Sequence, residues 1–376
     1  LKNQVMKKNK VLVIFSSSNI GGTERSISRM ALFDNSSIEF QLSSFGVSGP
    51  WSDWVIKKKH NPILFGERDD FLKGTLLGSF LSLYFFLKKN NFNAIYIFGA
   101  KVSFFLKLMK FFFPNMVLIH GVRWNPNQNN LLDTIFSIIE NYSKSLIDGW
   151  IVNAKATKKT LIHRSFIKAS KISVIYNGIE FNQIPKKSLN KKKVKILSVA
   201  NIALRKGYLE YLNVVSKVIK KVPNVKFDIV GRDDMNGRLH NEARKRKLDN
   251  FINFIGYSDD VPHWYNKADI FAFPSLWGEG CPTSIMEAMS HKLPVIAYKI
   301  DGISEVLTSK SEGFIIGLGN ESGFARKLIL LISNHKIRKE MGLNGFKKAK
   351  KEFKLNNCYK DHCKTINKII KERQLN

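Results

Sequence analysis

The chain predicts an α/β protein made of two Rossmann-like, doubly wound domains. Short runs rich in Val, Ile, Leu and Phe recur along its 376 residues and alternate with stretches of helical periodicity. That alternation halts at the lysine-rich residues 186–195 and then restarts. The length exceeds one typical core and suits two of similar size.

Residues 11–15 form the first apolar run. Ser16-Ser17-Ser18-Asn19-Ile20-Gly21-Gly22-Thr23-Glu24 follows, after which Ile27, Met30 and Ala31 share a helical face. Strand, glycine-containing loop and helix open a doubly wound domain. Further strands are expected at residues 94–98, 117–120, 149–153 and 172–176, with Asn177-Gly178 as a turn and hinge. The second half predicts strands at 194–199, 226–230, 253–255, 270–273, 294–297 and 313–316, and a helix at 207–220. From residue 342 onward the pattern is helical, basic and amphipathic. The expected domains are 1–183 and 184–355, with a helix over 356–376 packing back on the first. They are expected to face across a cleft, because such sheets bind ligands at the carboxyl ends of their strands.

Charge is the unusual part of the composition. With 61 Lys+Arg against 30 Asp+Glu, the formal net charge is +31. Such a surface attracts nucleic acid, anionic membrane or phosphorylated substrates, and an AT-rich coding sequence would also enrich Lys, Asn, Ile and Phe. No nucleic-acid-reading motif accompanies the charge. Cys281, Cys358 and Cys363 have no zinc spacing and leave an odd thiol, which suits a reducing compartment. The apolar run at 11–15 is too short for a signal segment, and 76–87 is interrupted by Gly78, Ser79 and Ser82, so no membrane span is expected. Residues 76–89 and 101–113 interleave Phe, Leu and Lys, and carry too many large apolar residues for one packed stripe. They read as a membrane-facing edge, with Lys107 and Lys110 attracting anionic lipid. The expected location is cytoplasmic, peripheral at the inner face of the membrane.

The richest segment is Gly278-Glu279-Gly280-Cys281-Pro282-Thr283-Ser284-Ile285-Met286-Glu287-Ala288-Met289. It sets two carboxylates on either side of a loop that turns into a helix, where backbone amides meet an anion. That combination fits a nucleotide-sugar: one acid for ribose hydroxyls, one for the sugar, amides for the diphosphate. Two blander readings compete with it, a capping box between Ser284 and Glu287 and a solvated Glu279. Arg205-Lys206-Gly207 follows the strand at 194–199, where cations would stabilise a departing diphosphate. His120 is expected to end its strand. Gly21-Gly22 allows close backbone approach to a phosphate, Glu24 is a candidate cap for the helix that follows, and Arg123 is a candidate for an acceptor's phosphate.

These residues resemble the retaining glycosyltransferases of family 4, whose hallmark is Glu, seven residues, Glu. The resemblance runs through Gly21-Gly22-Thr23-Glu24, His120-Gly121, Ile175-Tyr176-Asn177-Gly178-Ile179, Lys206-Gly207 and Asp228-Ile229-Val230-Gly231. It continues through 268–275, Glu279 to Met289, Pro294-Val295-Ile296-Ala297 and Gly302-Ile303-Ser304-Glu305-Val306. It implies a GT-B fold, with acceptor contacts mainly from the first domain and donor contacts from the second. By the same resemblance Glu279, His120, Lys206 and Arg205 are catalytic. Substrate would be held by Glu287, Gly21, Gly22, Asn177, Gly231, Tyr257, Gly280, Cys281, Thr283 and Ser284. The family usually has an arginine near Asn201, which here leaves the charge to Arg205. The implied activity is metal-independent, cofactor-free transfer from a nucleotide-diphosphate sugar, UDP-linked rather than GDP-linked, to a glycan on polyprenyl diphosphate in bacterial polysaccharide or O-antigen assembly. The alternatives are a nucleotide-sugar 2-epimerase of the same architecture and a basic nucleic-acid-binding protein.

Overall fold

The computed structural model describes residues 8–34, 36–68, 72–123, 143–181 and 193–375, excluding the side chains of residues 100 and 101. Residues 186–192 of the expected linker lie outside the described residues, as does the expected domain limit at 183/184. The chain forms two compact units, residues 1–178 with 355–376, and residues 179–354.

The first unit is a seven-stranded sheet in the order β3-β2-β1-β4-β5-β6-β7, with every pair parallel. In chain order it runs β1 (Asn9–Phe15), α1 (Gly22–Ala31), β2 (Ile38–Ser44), α2 (Pro50–Lys57), β3 (Ile63–Leu64), α3 (Leu76–Lys89), β4 (Ala94–Phe98), α4 (Ala100–Met109) and β5 (Val117–Val122). It ends with β6 (Gly149–Val152), α5 (Lys155–Ser165) and β7 (Ile172–Val174). Side chains alternate across the pleat, so Val11, Val13 and Phe15 enter one core while Leu12 and Ile14 enter another. The first core takes Ile27, Met30 and Ala31 of α1 and also Tyr359, Ile366 and Ile370 of the C-terminal helix (Leu355–Leu375). The second takes Leu83 and Leu87 of α3 with Val102, Leu106 and Met109 of α4. Both faces of the sheet are covered, as a parallel sheet requires.

Two expectations fail here. β2 was not expected, because Ile38-Glu39-Phe40-Gln41-Leu42-Ser43-Ser44 is half polar. Its serines bury by bonding: Ser43 Oγ donates to Val13 O at 2.8 Å, and Ser44 Oγ accepts from Ser18 Oγ at 3.0 Å. Lys107 and Lys110 do not face outward. Lys107 is 2% exposed and donates to Ser143, and Lys110 pairs with Asp148 at 2.6 Å. Among the described residues no helix is long and apolar enough to cross a membrane.

The second unit is a six-stranded parallel sheet in the order β10-β9-β8-β11-β12-β13. Its strands are β8 (Val194–Val199), β9 (Val225–Val230), β10 (Ile252–Gly256), β11 (Ile270–Phe273), β12 (Val295–Tyr298) and β13 (Gly313–Ile316). Its helices are α6 (Tyr208–Ile219), α7 (Arg238–Lys245), α8 (Val261–Lys267), α9 (Thr283–Ser290), α10 (Ile303–Val306), α11 (Glu321–Ser333) and α12 (His335–Glu352). The strand order reverses between β8 and β11. A crevice for ligands opens at such a reversal, beyond the carboxyl ends of the two strands.

Candidate active site

The loops leaving β8 and β11 are laced together. Leu276 N–H donates to Arg205 O at 2.8 Å. Gly207 has φ +68°, and a Cβ there would lie 2.2 Å from Pro274 O, so only glycine lets the loops approach this closely. Their contact places both cations on Glu279. Oε1 of Glu279 accepts from Lys206 Nζ at 2.5 Å, Ser275 Oγ at 2.7 Å and Arg205 Nη1 at 3.1 Å. Glu279 is 7% exposed. Buried carboxylates are stable only when paired, and three donors on one oxygen satisfy that need. Burial pushes the Lys206 ammonium below the usual lysine range, against the pull of Glu279.

The backbone of Glu279 is held from the other side, its N–H donating to Asp301 Oδ2 at 3.2 Å. Asp301 follows β12 and has φ +32°, an uncommon conformation for a residue other than glycine. Sequence reasoning missed it, although Asp301-Gly302 is a turn signal.

Gly280 and Cys281 are buried behind Glu279, and α9 then starts at Thr283 and Ser284, both half-buried. The N-cap is Pro282, whose side chain accepts no bond. The expected alternative of a Ser284–Glu287 capping box therefore does not form. Glu287 Oε2 instead accepts from the Tyr265 hydroxyl at 3.1 Å, a partner on α8 with no sequence signal.

At the carboxyl end of β9, Gly231 has φ +158°, and a Cβ would lie 2.0 Å from Ala200 O. Packing of β9 against the loop after β8 thus explains that glycine. Gly231 N–H donates to Gly256 O, next to the half-exposed Tyr257, whose hydroxyl donates to Asp259.

In the first unit the corresponding reversal lies between β1 and β4. Gly21 caps α1, Gly22 is exposed, and a Cβ on Gly22 would meet nothing within 4 Å. The Glu24 carboxyl accepts bonds from the Gly21 and Glu24 backbone, and burial raises its pKa. His120 is buried but does not end β5, which continues to Val122 because Gly121 admits the Phe98 ring. Arg123 does not face solvent. It is 6% exposed and donates to Asn177 Oδ1, Tyr96 Oη and His362 Nε2 at 2.8–3.0 Å, which makes it an internal clamp rather than a surface for phosphate. Asn177 is held there beside the point where the chain leaves the first unit.

Residues 180–348 match the family model Glycosyl transferases group 1. The match covers nearly all of the second unit, including Lys206, Glu279 and Glu287. The chain is 25% identical over 307 residues to the UDP-Gal:alpha-D-GlcNAc-diphosphoundecaprenol alpha-1,3-galactosyltransferase of Escherichia coli, covering 75% of this chain and 79% of that protein. An uncharacterized glycosyltransferase of Haemophilus influenzae is 32% identical over 193 residues, 51% of this chain and 54% of its own length. In structure, HepE of Anabaena, solved in complex with UDP and glucose, superposes with a TM-score of 0.83 at 18% identity, covering 96% of this chain and 99% of HepE. At that identity the likeness speaks for the fold, which is GT-B: two parallel-sheet, Rossmann-like α/β domains.

Proposed function

We propose that the protein is a retaining glycosyltransferase that moves a sugar from a nucleotide-diphosphate donor, with UDP as the nucleotide, to a glycan on polyprenyl diphosphate. One observation carries this reading. At the reversal of the second sheet, two cations converge on a buried carboxylate beside a helix start that no side chain caps. A diphosphate meets the Lys206 ammonium, the Arg205 guanidinium and the first amides of α9, where the negative charge of a leaving group is absorbed. Glu279 lies next to these cations and takes the sugar's hydroxyls, while Glu287, one helix face further on, takes those of the ribose. In the first unit we assign Gly21, Gly22 and His120 to substrate contacts.

The reaction is a displacement on the leaving-group face of the sugar. The acceptor oxygen bonds to the anomeric carbon as the bond to the β-phosphate oxygen breaks. The acceptor's proton passes to that phosphate, which departs as nucleoside diphosphate. Lys206 and Arg205 supply the positive charge of this step, so the proposal needs no metal. The E. coli relative supports the donor and acceptor classes, since its name specifies a UDP-sugar and a diphosphoundecaprenol-linked acceptor. A lipid-linked acceptor puts the enzyme at the inner face of the bacterial membrane.

The test is a melting experiment with UDP and GDP, followed by transfer assays. A nucleotide at 100 times its Kd stabilises by about 2.7 kcal/mol, so UDP should raise Tm by several degrees more than GDP. Glu279→Ala should keep the UDP shift, because both cations remain, yet lose about 100-fold or more in transfer. Equal shifts would reject UDP, an inverted product anomer would reject retention, and undiminished turnover would reject the role of Glu279.

A further inference from the structure

The helices α3 and α4 are inverted relative to what water selects. On α4 and the turn after it, Lys107 and Lys110 are buried, while Phe104, Leu108, Phe111 and Phe112 are exposed, Phe111 at 77% and Phe112 at 58%. On α3 the exposed residues include Leu76, Leu77 and Phe85. Ring contacts join the two helices along this face. Tyr84 touches both Phe85, at 5.4 Å between ring centroids, and Phe112, at 5.3 Å. Phe105 likewise bridges Phe80 and Phe104 at 6.2 and 5.5 Å. Several large exposed apolar side chains on two helices in contact mark an interaction surface.

Charge identifies what it meets. No Asp or Glu occurs between Asp70 and Asp133. Exposed Lys73 precedes α3, and exposed Lys88 and Lys89 follow Phe85 by one turn. Aromatic and aliphatic side chains within a rim of lysines, with no acid in that stretch, fit an anionic lipid bilayer: rings enter the acyl boundary while ammonium groups meet headgroups.

We propose that the α3–α4 face is a membrane-docking wedge driven by Phe85, Phe111 and Phe112, with Lys88 and Lys89 as its electrostatic rim. This surface rests on the lipid-linked-acceptor reading only for its purpose. Vesicle binding is measured without donor or acceptor, so its failure and the failure of that reading are separate results. The experiment is flotation of the full chain with neutral phosphatidylcholine vesicles and with vesicles containing phosphatidylglycerol. The parent should float with the anionic vesicles. A Phe111→Ser/Phe112→Ser variant should lose affinity by about tenfold or more, since each ring contributes burial that no salt screens. Lys88→Gln/Lys89→Gln should lose less, and its loss should vanish at high salt. The Phe variant must melt as the parent does and keep the UDP-induced shift, which separates docking from folding and donor binding. Parental flotation by the Phe variant overturns the wedge, as does absence of flotation by the parent. A parental dimer that the Phe variant dissolves would assign the face to a second copy and also overturn it.

Discussion

Asp301 carries a left-handed backbone at φ +32° and gives its carboxylate to the Glu279 amide. Asp and Asn tolerate such backbone better than other non-glycine residues, and strain of this kind persists where its surroundings impose it. Asp301→Asn should therefore keep most of the transfer rate, since it retains both the conformation and an acceptor. Asp301→Ala loses the acceptor and gains strain, so its kcat should fall about fivefold or more, the equivalent of one net hydrogen bond of about 1 kcal/mol. KM for the donor should change less, because the cations and amides that meet the diphosphate are untouched. Equal kcat values for the two variants would reject Asp301 as a positioning residue. Glu279, Glu287 and Lys206 were legible in the sequence because acids and cations bracketing a loop-to-helix turn carry their chemistry in their types and spacing. Asp301 and Tyr265 were not, because their roles depend on a backbone angle and on contacts 22 residues apart in each case.

The C-terminal helix shows what a single element contributes beyond apolar burial. His362 on that helix is fully buried, accepts from Arg123 at Nε2, and contacts Cys358 O with Nδ1 at 2.7 Å, so the ring is neutral. Burial, reinforced by the Arg123 charge and opposed by the Cys358 carbonyl, pushes its pKa down to about 3. Tyr96 and Cys358, the other titratable groups in contact, stay protonated in acid. The unfolded chain protonates His362 near pH 6.5, so stability is intact above that pH and is lost as pH falls toward 3. The slope attributable to one proton is about 1.4 kcal/mol per pH unit. Denaturant unfolding of the parent and of His362→Gln between pH 7 and 4 should show a slope shallower by that amount in the variant; parallel curves would discard the assignment. The periodicity of residues 342–376 made a helix legible there. It did not reveal the Arg123 clamp, whose partners lie on β4, beside β7 and on this helix. β2 was illegible for a related reason, since Ser43 and Ser44 bury only because Val13 of β1 and Ser18 in the loop beyond it bond to them.

Across the whole molecule, two sheets with the same relative strand order place their reversals at corresponding loops, after β1 and β4 in one unit and after β8 and β11 in the other. Architecture on this scale was legible because buried parallel strands read as continuous apolar runs. The charge of +31 acts on the same scale, but not uniformly. Exposed lysines are screened once the Debye length drops from about 30 Å at 0.01 M to about 3 Å at 1 M salt, whereas the buried Lys206–Glu279 pair is screened much less. Over that range vesicle affinity should fall more steeply than UDP affinity, read by flotation and by calorimetry. Equal salt slopes would mean that the nucleotide meets only the surface field.

The dependence of the first core on Tyr359, Ile366 and Ile370 has a consequence for synthesis. A nascent chain exposes residues 1–178 long before residues 355–375 emerge from the ribosome, and the second unit is translated in between. The domain made first is thus the one finished last, and until the tail arrives its unfilled apolar seam is a natural client for a chaperone.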